Sequence, residues 1–192
     1  MMLYGSLTSP FVRKCRITAM EAGLADRLDF VLTVVMDDAG DHPNPLNLVP
    51  SLETDEGELI LDSRVICDYL AAQGRNDALA DGAAWEDRTL AAMADGLMDR
   101  AVAVALEQRR PESRQSEDWQ FRRINAIRNT LPELERRLPV DFTPGAIALV
   151  CALGYLDLRH DDLDWRSGHA AMADWFAARA QRLSVAETEP PA

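Results

Sequence analysis

The chain is short of positive charge, of cysteine and of long apolar runs. Its 192 residues carry 20 lysines and arginines against 32 aspartates and glutamates, a formal net charge of −12. A protein that grips a phosphate backbone needs a basic face, so nonspecific nucleic-acid binding is not expected. No apolar stretch reaches the length of a bilayer span, and no membrane partner is expected. The start, "MMLYGSLTSP", has neither the basic region nor the apolar core of a secretory leader. The expected location is the cytoplasm. The cysteines, Cys15, Cys67 and Cys151, lie far apart in apolar segments. That spacing suits neither a disulfide framework nor a metal site, so they read as small buried hydrophobes in a reducing compartment. His42, His160 and His169 are scattered. The acidic groups "DDAGD" (37–41) and "HDDLD" (160–164) follow no calcium-loop pattern and read as solvated loops. No metal is expected.

What is present falls into two halves with different periodicity. Residues 1–74 alternate strand and helix signals. "MLYGS" is a short strand. Ser9 caps a helix with Pro10 at its first position, running to about Gly23. "LDFVLTVV" (28–35) is β-branched and reads as a second strand. "PSLET" and "ELIL" flank a turn at Asp55-Glu56-Gly57, a hairpin. Ser63 then opens a helix that Gly74 ends. The order β-α-β-loop-β-β-α predicts a small mixed sheet with helices on its faces. Residues 75–82 read as a linker.

Residues 83–192 show helix periodicity alone. Trp85 to Arg109 is alanine-rich. Ile124, Ile127, Leu131, Leu134 and Leu138 form one apolar stripe, interrupted by Pro132, where a kink is expected. Thr143 to Leu158 is apolar almost all round, as a central buried helix is. Ala170 to Arg182 is a last amphipathic helix, and the tail "ETEPPA" is expected to fray.

Three local features point to chemistry. Val49-Pro50 stands directly before a strand, where proline withholds a ladder donor. With a cis bond, the Val49 N–H and C=O face outward and can pair with an extended peptide. Ser63, at a helix N-terminus, suits a carboxylate, and neighbouring Asp62 suits an ammonium. Together they match an α-amino acid head group, although a plain N-cap and a turn residue account for the same pair. Ser9, at another helix start, can stabilise a thiolate, or act as an N-cap alone. An extended peptide with an amino-acid head and a thiol is glutathione.

The chain as a whole resembles the glutathione S-transferase family, in a bacterial branch with an active-site serine. "TSPFVRKCRITAMEAGL" is similar to the family's first active-site helix, and "NPLNLVPSLETDEGELILDSRVICDYL" to its binding segment. The resemblance extends through "ADGLMDRAVAVALEQRRPE" and "AIALVCALGYLDLRHDDLDWRSGHAAMADW". It implies a thioredoxin-like N-terminal domain (1–74), an all-helical C-terminal domain (83–192) and a homodimer. It also implies glutathione as cosubstrate, with Val49 pairing to the cysteinyl backbone beside cis Pro50. Asp62 and Ser63 would hold the γ-glutamyl end, and Ser9 would be catalytic. A small apolar electrophile would lie against the helices beginning at Trp85 and Thr143. Asp95 and Asp99 are candidates for a contact from the neighbouring subunit.

The sequence departs from the family pattern in three places. Leu48 replaces a lysine that would hold the glycine carboxylate, which puts glutathione affinity in question. Ala146 replaces the aspartate of a capping box after Thr143. Leu183 stands where proline is more usual. The activity the resemblance implies is addition or substitution by the glutathione thiolate, in detoxification. A glutathione-dependent disulfide reductase and a non-catalytic binding module on the same fold remain as alternatives.

Overall fold

The computed structural model describes residues 1–33, 42–76, 79 and 84–191. They form two compact units, one of Met1–Ala83 with Arg182–Ala192, the other of Ala84–Gln181. The expected loop at 37–41 and most of the expected linker lie outside the described residues, as does the end of the expected second strand.

In the first unit β1 (Met2–Gly5) is followed by α1 (Pro10–Glu21) and β2 (Asp29–Leu32). Next come the hairpin β3 (Ser51–Glu53) and β4 (Leu59–Leu61), then α2 (Ser63–Gln73). The sheet order is β2-β1-β3-β4, with β1 parallel to β2 and antiparallel to β3. The hairpin turn closes with the Thr54 N–H on the Glu58 carbonyl at 2.9 Å. Gly57 supplies the positive φ of 81° that this turn requires. Leu3 and Leu52 from the sheet, Val12, Cys15 and Ile17 from α1, and Ile66 and Leu70 from α2 are fully buried. They make one apolar core, with α1 packed on α2. This is the expected mixed sheet with helical cover.

Residues 182–191 belong to this unit, and the tail expected to fray is tied down at Thr188, which is buried. A short helix, α7 (Leu183–Ala186), packs on α1. The Arg13 Nη2 donates to the Val185 carbonyl at 3.1 Å and its Nε to Thr188 Oγ at 3.5 Å. Arg182 donates twice to the Glu21 carboxylate, at 3.1 and 2.7 Å. Arg13, Ser184, Val185 and Thr188 are all buried. A buried guanidinium needs acceptors, and the last turn provides them. The departure at Leu183 falls on an exposed residue.

The second unit is helical among its described residues. It contains α3 (Trp85–Gln108), α4 (Glu117–Glu135), α5 (Pro144–Arg159) and α6 (Ala170–Ala180). Every residue of α5 from Gly145 to Leu156 is buried, which explains its all-round apolar sequence. α4 continues through Pro132, and its stripe buries Ile127, Leu131 and Leu134. The proline leaves the Arg128 carbonyl without a helical donor, but Arg128 is exposed and water can serve it. His160 corrects the reading of "HDDLD" as wholly solvated. Its side chain is buried, with Nε2 2.8 Å from the Ala101 carbonyl.

The missing capping box is replaced from another helix. Thr143 Oγ accepts from the Ala146 N–H at 3.3 Å. Asp87 of α3 accepts the Thr143 hydroxyl and, at 3.0 Å, the Gly145 N–H. A Cβ on Gly145 would stand 2.5 Å from Asp87 Oδ1 and 2.8 Å from the Asp87 carbonyl oxygen, so only glycine admits this approach. We expect Asp87→Ala to lower unfolding stability by about 3 kcal/mol or more, since it removes two hydrogen bonds to a charged group, each worth about 1.5–3 kcal/mol. Urea unfolding measures it. An unchanged midpoint would leave Thr143 as the sole cap.

Candidate functional site

Strand register brings the three singled-out features to one end of the sheet. β1 runs toward Gly5, Tyr4 pairs with Ser51, and Ser51 pairs with Leu61. Ser9 therefore follows the end of β1, Val49-Pro50 precedes the matching end of β3, and Asp62-Ser63 follows the matching end of β4. Sequence distance hides this grouping, and antiparallel pairing creates it.

Ser9 is the N-cap of α1. Its Oγ accepts the Val12 N–H at 3.4 Å, a long bond that uses the oxygen and leaves the hydroxyl hydrogen available to donate. Pro10 brings no N–H, and the Phe11 N–H takes no protein partner among the described residues. A half-buried hydroxyl and an open amide thus face the positive end of a helix dipole, where negative charge is favoured.

The Val49-Pro50 peptide is cis. Among the described residues, neither the N–H nor the C=O of Val49 has a hydrogen-bond partner. The loop before it is held by Asn44, a buried residue that sequence reasoning passed over. Its Nδ2 donates to the Leu48 carbonyl at 2.7 Å and its Oδ1 accepts the Leu46 N–H at 2.9 Å. The available signal was "NPLN", an asparagine placed to fold the backbone around itself. Leu48 is 59% exposed.

At the third feature the structure assigns the cap differently from the sequence reading. Asp62, with φ 68°, is the N-cap of α2, and Ser63 is its first helical residue. The Asp62 carboxylate accepts the Arg64 N–H at 2.8 Å and the Arg64 guanidinium at 3.2 Å on each oxygen. Partial burial opposes its ionisation. The Arg64 hydrogen bonds outweigh that, with the charges of Arg64 and Lys14 adding, and hold the carboxyl below its usual range. A carboxylate has acceptor sites beyond these three bonds. Ser63 is buried, and the N–H groups of Ser63 and Val65 have no protein partner among the described residues. The end of α2 thus offers amide donors to an anion and a fixed carboxylate to a cation.

Asp95 and Asp99 belong to α3 in the second unit, the first buried and the second exposed. Cys15, one and a half turns into α1, is fully buried. Among the described residues no group of three or more His, Cys, Asp or Glu side chains could hold a metal ion, and no helix is long and apolar enough to cross a membrane.

Comparison with known proteins adds to this geometry. Residues 3–77 match the model of the glutathione S-transferase N-terminal domain. An uncharacterized GST-like protein of Escherichia coli K12, YibF, is 36% identical over a 201-residue alignment that covers 100% of this chain and 99% of that protein. A glutathione transferase family member from Pseudomonas fluorescens Pf-5, crystallised with bound glutathione, superposes with a TM-score of 0.92 at 35% identity, covering 100% of this chain and 99% of that one. The crystal structure of a glutathione S-transferase from Methylobacillus flagellatus KT, with glutathione bound, gives 0.90 at 34% identity and covers 99% of each chain.

Proposed function

The chain belongs to the glutathione S-transferase family, and from that premise we propose that it binds glutathione at the sheet end described above and adds its thiolate to small apolar electrophiles. The observation that carries this reading is the convergence of an unpaired Val49 backbone with two helix N-termini. The cysteinyl backbone of glutathione pairs with Val49 beside Pro50. The γ-glutamyl carboxylate takes the amides and hydroxyl at Ser63, and its ammonium takes Asp62. The thiolate sits at Ser9. That catalysis is thiolate stabilisation plus proximity, with no covalent intermediate on the protein, since a serine hydroxyl here donates a hydrogen bond and does not attack. The relatives crystallised with glutathione support the ligand. The chain acts in the cytoplasm as a twofold homodimer, which sedimentation would reveal as a species near twice the 21.3 kDa chain mass; a clean monomer would remove that part of the reading.

The test is retention on immobilised glutathione combined with turnover of a generic aryl halide. Retention with turnover supports the transferase. No retention supports a second reading, a non-catalytic binding module that keeps the transferase scaffold and has lost the glutathione site. Loss of both removes glutathione from the account. That second reading has one observation in its favour: exposed, apolar Leu48 offers nothing to the glycine carboxylate, which weakens the case for glutathione itself. Arg13 already donates to Val185 and Thr188, and Arg64 to Asp62. Leu48→Lys is therefore expected to tighten glutathione binding about tenfold, the effect of one exposed charge-assisted hydrogen bond near 1.4 kcal/mol. Calorimetric titration decides it, and equal affinities would show that the glycine carboxylate does not meet position 48.

A further inference from the structure

The fold brings together two cysteines that are 52 positions apart in the sequence. Cys67 Sγ, on α2, lies 3.9 Å from Cys15 Sγ, on α1. Cys15 is fully buried, and its Sγ lies 3.8 Å from the Ser63 carbonyl. Cys67 is half-buried, with the Thr18 hydroxyl 3.4 Å from its sulfur. The two residues differ in burial: Cys67 is partly exposed, whereas Cys15 is fully buried with its sulfur beside that of Cys67.

We propose that Cys67 and Cys15 form a redox-active dithiol, with Cys67 the entry thiol and Cys15 the resolving thiol, oxidised to an intramolecular disulfide by a small disulfide such as glutathione disulfide. Cys67 loses its proton to water, and its thiolate attacks one sulfur of the oxidant. A Cys67–glutathione bond forms, the oxidant's own S–S bond breaks, and one glutathione thiolate leaves. Cys15 then loses its proton and attacks Cys67 Sγ, releasing the second glutathione thiolate. Two protein thiols are oxidised, one glutathione disulfide is reduced, and the two protons end on the two glutathiones. The bond requires the two sulfurs, 3.9 Å apart on helices already in contact, to approach to about 2.05 Å. The bond joins the helix capped by Ser9 to the helix that begins at Ser63. The order of attack follows from access alone. Cys67 meets the oxidant from solvent, so the step does not rest on glutathione binding at the sheet end.

The experiment equilibrates the full chain with glutathione disulfide, quenches with acid, and reads intact mass and peptic peptides. The wild type is expected to lose two of its three thiols and two hydrogens in mass, with Cys15 linked to Cys67. Cys15→Ser is expected to stop at one glutathionyl adduct on Cys67, and Cys67→Ser to keep both remaining thiols. Three intact thiols in the wild type, or a linkage or adduct at Cys151, would overturn the proposal. The wild-type map decides even where a variant fails to fold.

Discussion

Ser9→Ala is expected to lower kcat for glutathione conjugation about a hundredfold at neutral pH, the loss typical of one donor aimed at developing or resident negative charge. The hydroxyl has two separable jobs. Its oxygen accepts the Val12 N–H in the α1 cap, and its hydrogen remains to donate to a thiolate. Alanine removes both. The cap is worth about 1 kcal/mol of stability, and a melting curve accounts for that part. Loss of the donor raises the pKa of bound glutathione toward the free-thiol value near 8.5. The activity of the variant should therefore recover as pH rises and the thiolate forms unaided, whereas a purely structural loss would not recover. The decisive record is the thiolate absorbance of bound glutathione against pH in both proteins. Superimposable titrations would take Ser9 out of the chemistry and leave it as a cap.

Removing residues 182–192 is expected to destabilise the first unit by about 4.5 kcal/mol or more. Burying a valine side chain is worth about 1.5–3 kcal/mol, and a hydrogen bond to a charged group about 1.5–3 kcal/mol. The truncation loses buried Val185 and both acceptors of buried Arg13. Denaturant unfolding measures the effect, and an unchanged midpoint would mean that the segment only decorates α1. The same clamp has a pH signature through Glu21. Partial burial pushes its carboxyl up, but hydrogen bonds from Arg182 and Ser184, with the Arg182 charge, outweigh this and hold it below the ordinary glutamate range. The folded carboxyl thus gives up its proton more readily than the unfolded one. Its stabilisation is complete above the unfolded value near 4.3 and is lost as pH falls through the lower folded value. Glu21→Gln should lose the clamp's contribution at neutral pH and show a flatter acid limb, and an unchanged acid limb would exclude Glu21 from the clamp.

The sequence by itself determined the mixed β/α half followed by the helical half, because hydrophobic period and turn chemistry are local. The β-branched run "LDFVLTVV", the Asp55-Glu56-Gly57 turn, the 3-4 stripe through Ile127 and Leu134, and the all-round apolar run of α5 each state their structure within a dozen residues. Ser9, Val49-Pro50 and Asp62-Ser63 were legible for the same reason, since caps and X-Pro steps are local signals. Only the tertiary structure decided what lies beside what. Strand register gathers those three features at one sheet end. Asp87 restores the cap that Ala146 lacks. In the tail read as frayed, Thr188 is buried and joins the Val185 carbonyl as an acceptor for Arg13. Cys15 and Cys67, read apart as two hydrophobes, meet because α1 packs on α2. Each of these depends on partners tens of residues away, and long-range pairing leaves no periodic trace in the chain that makes it.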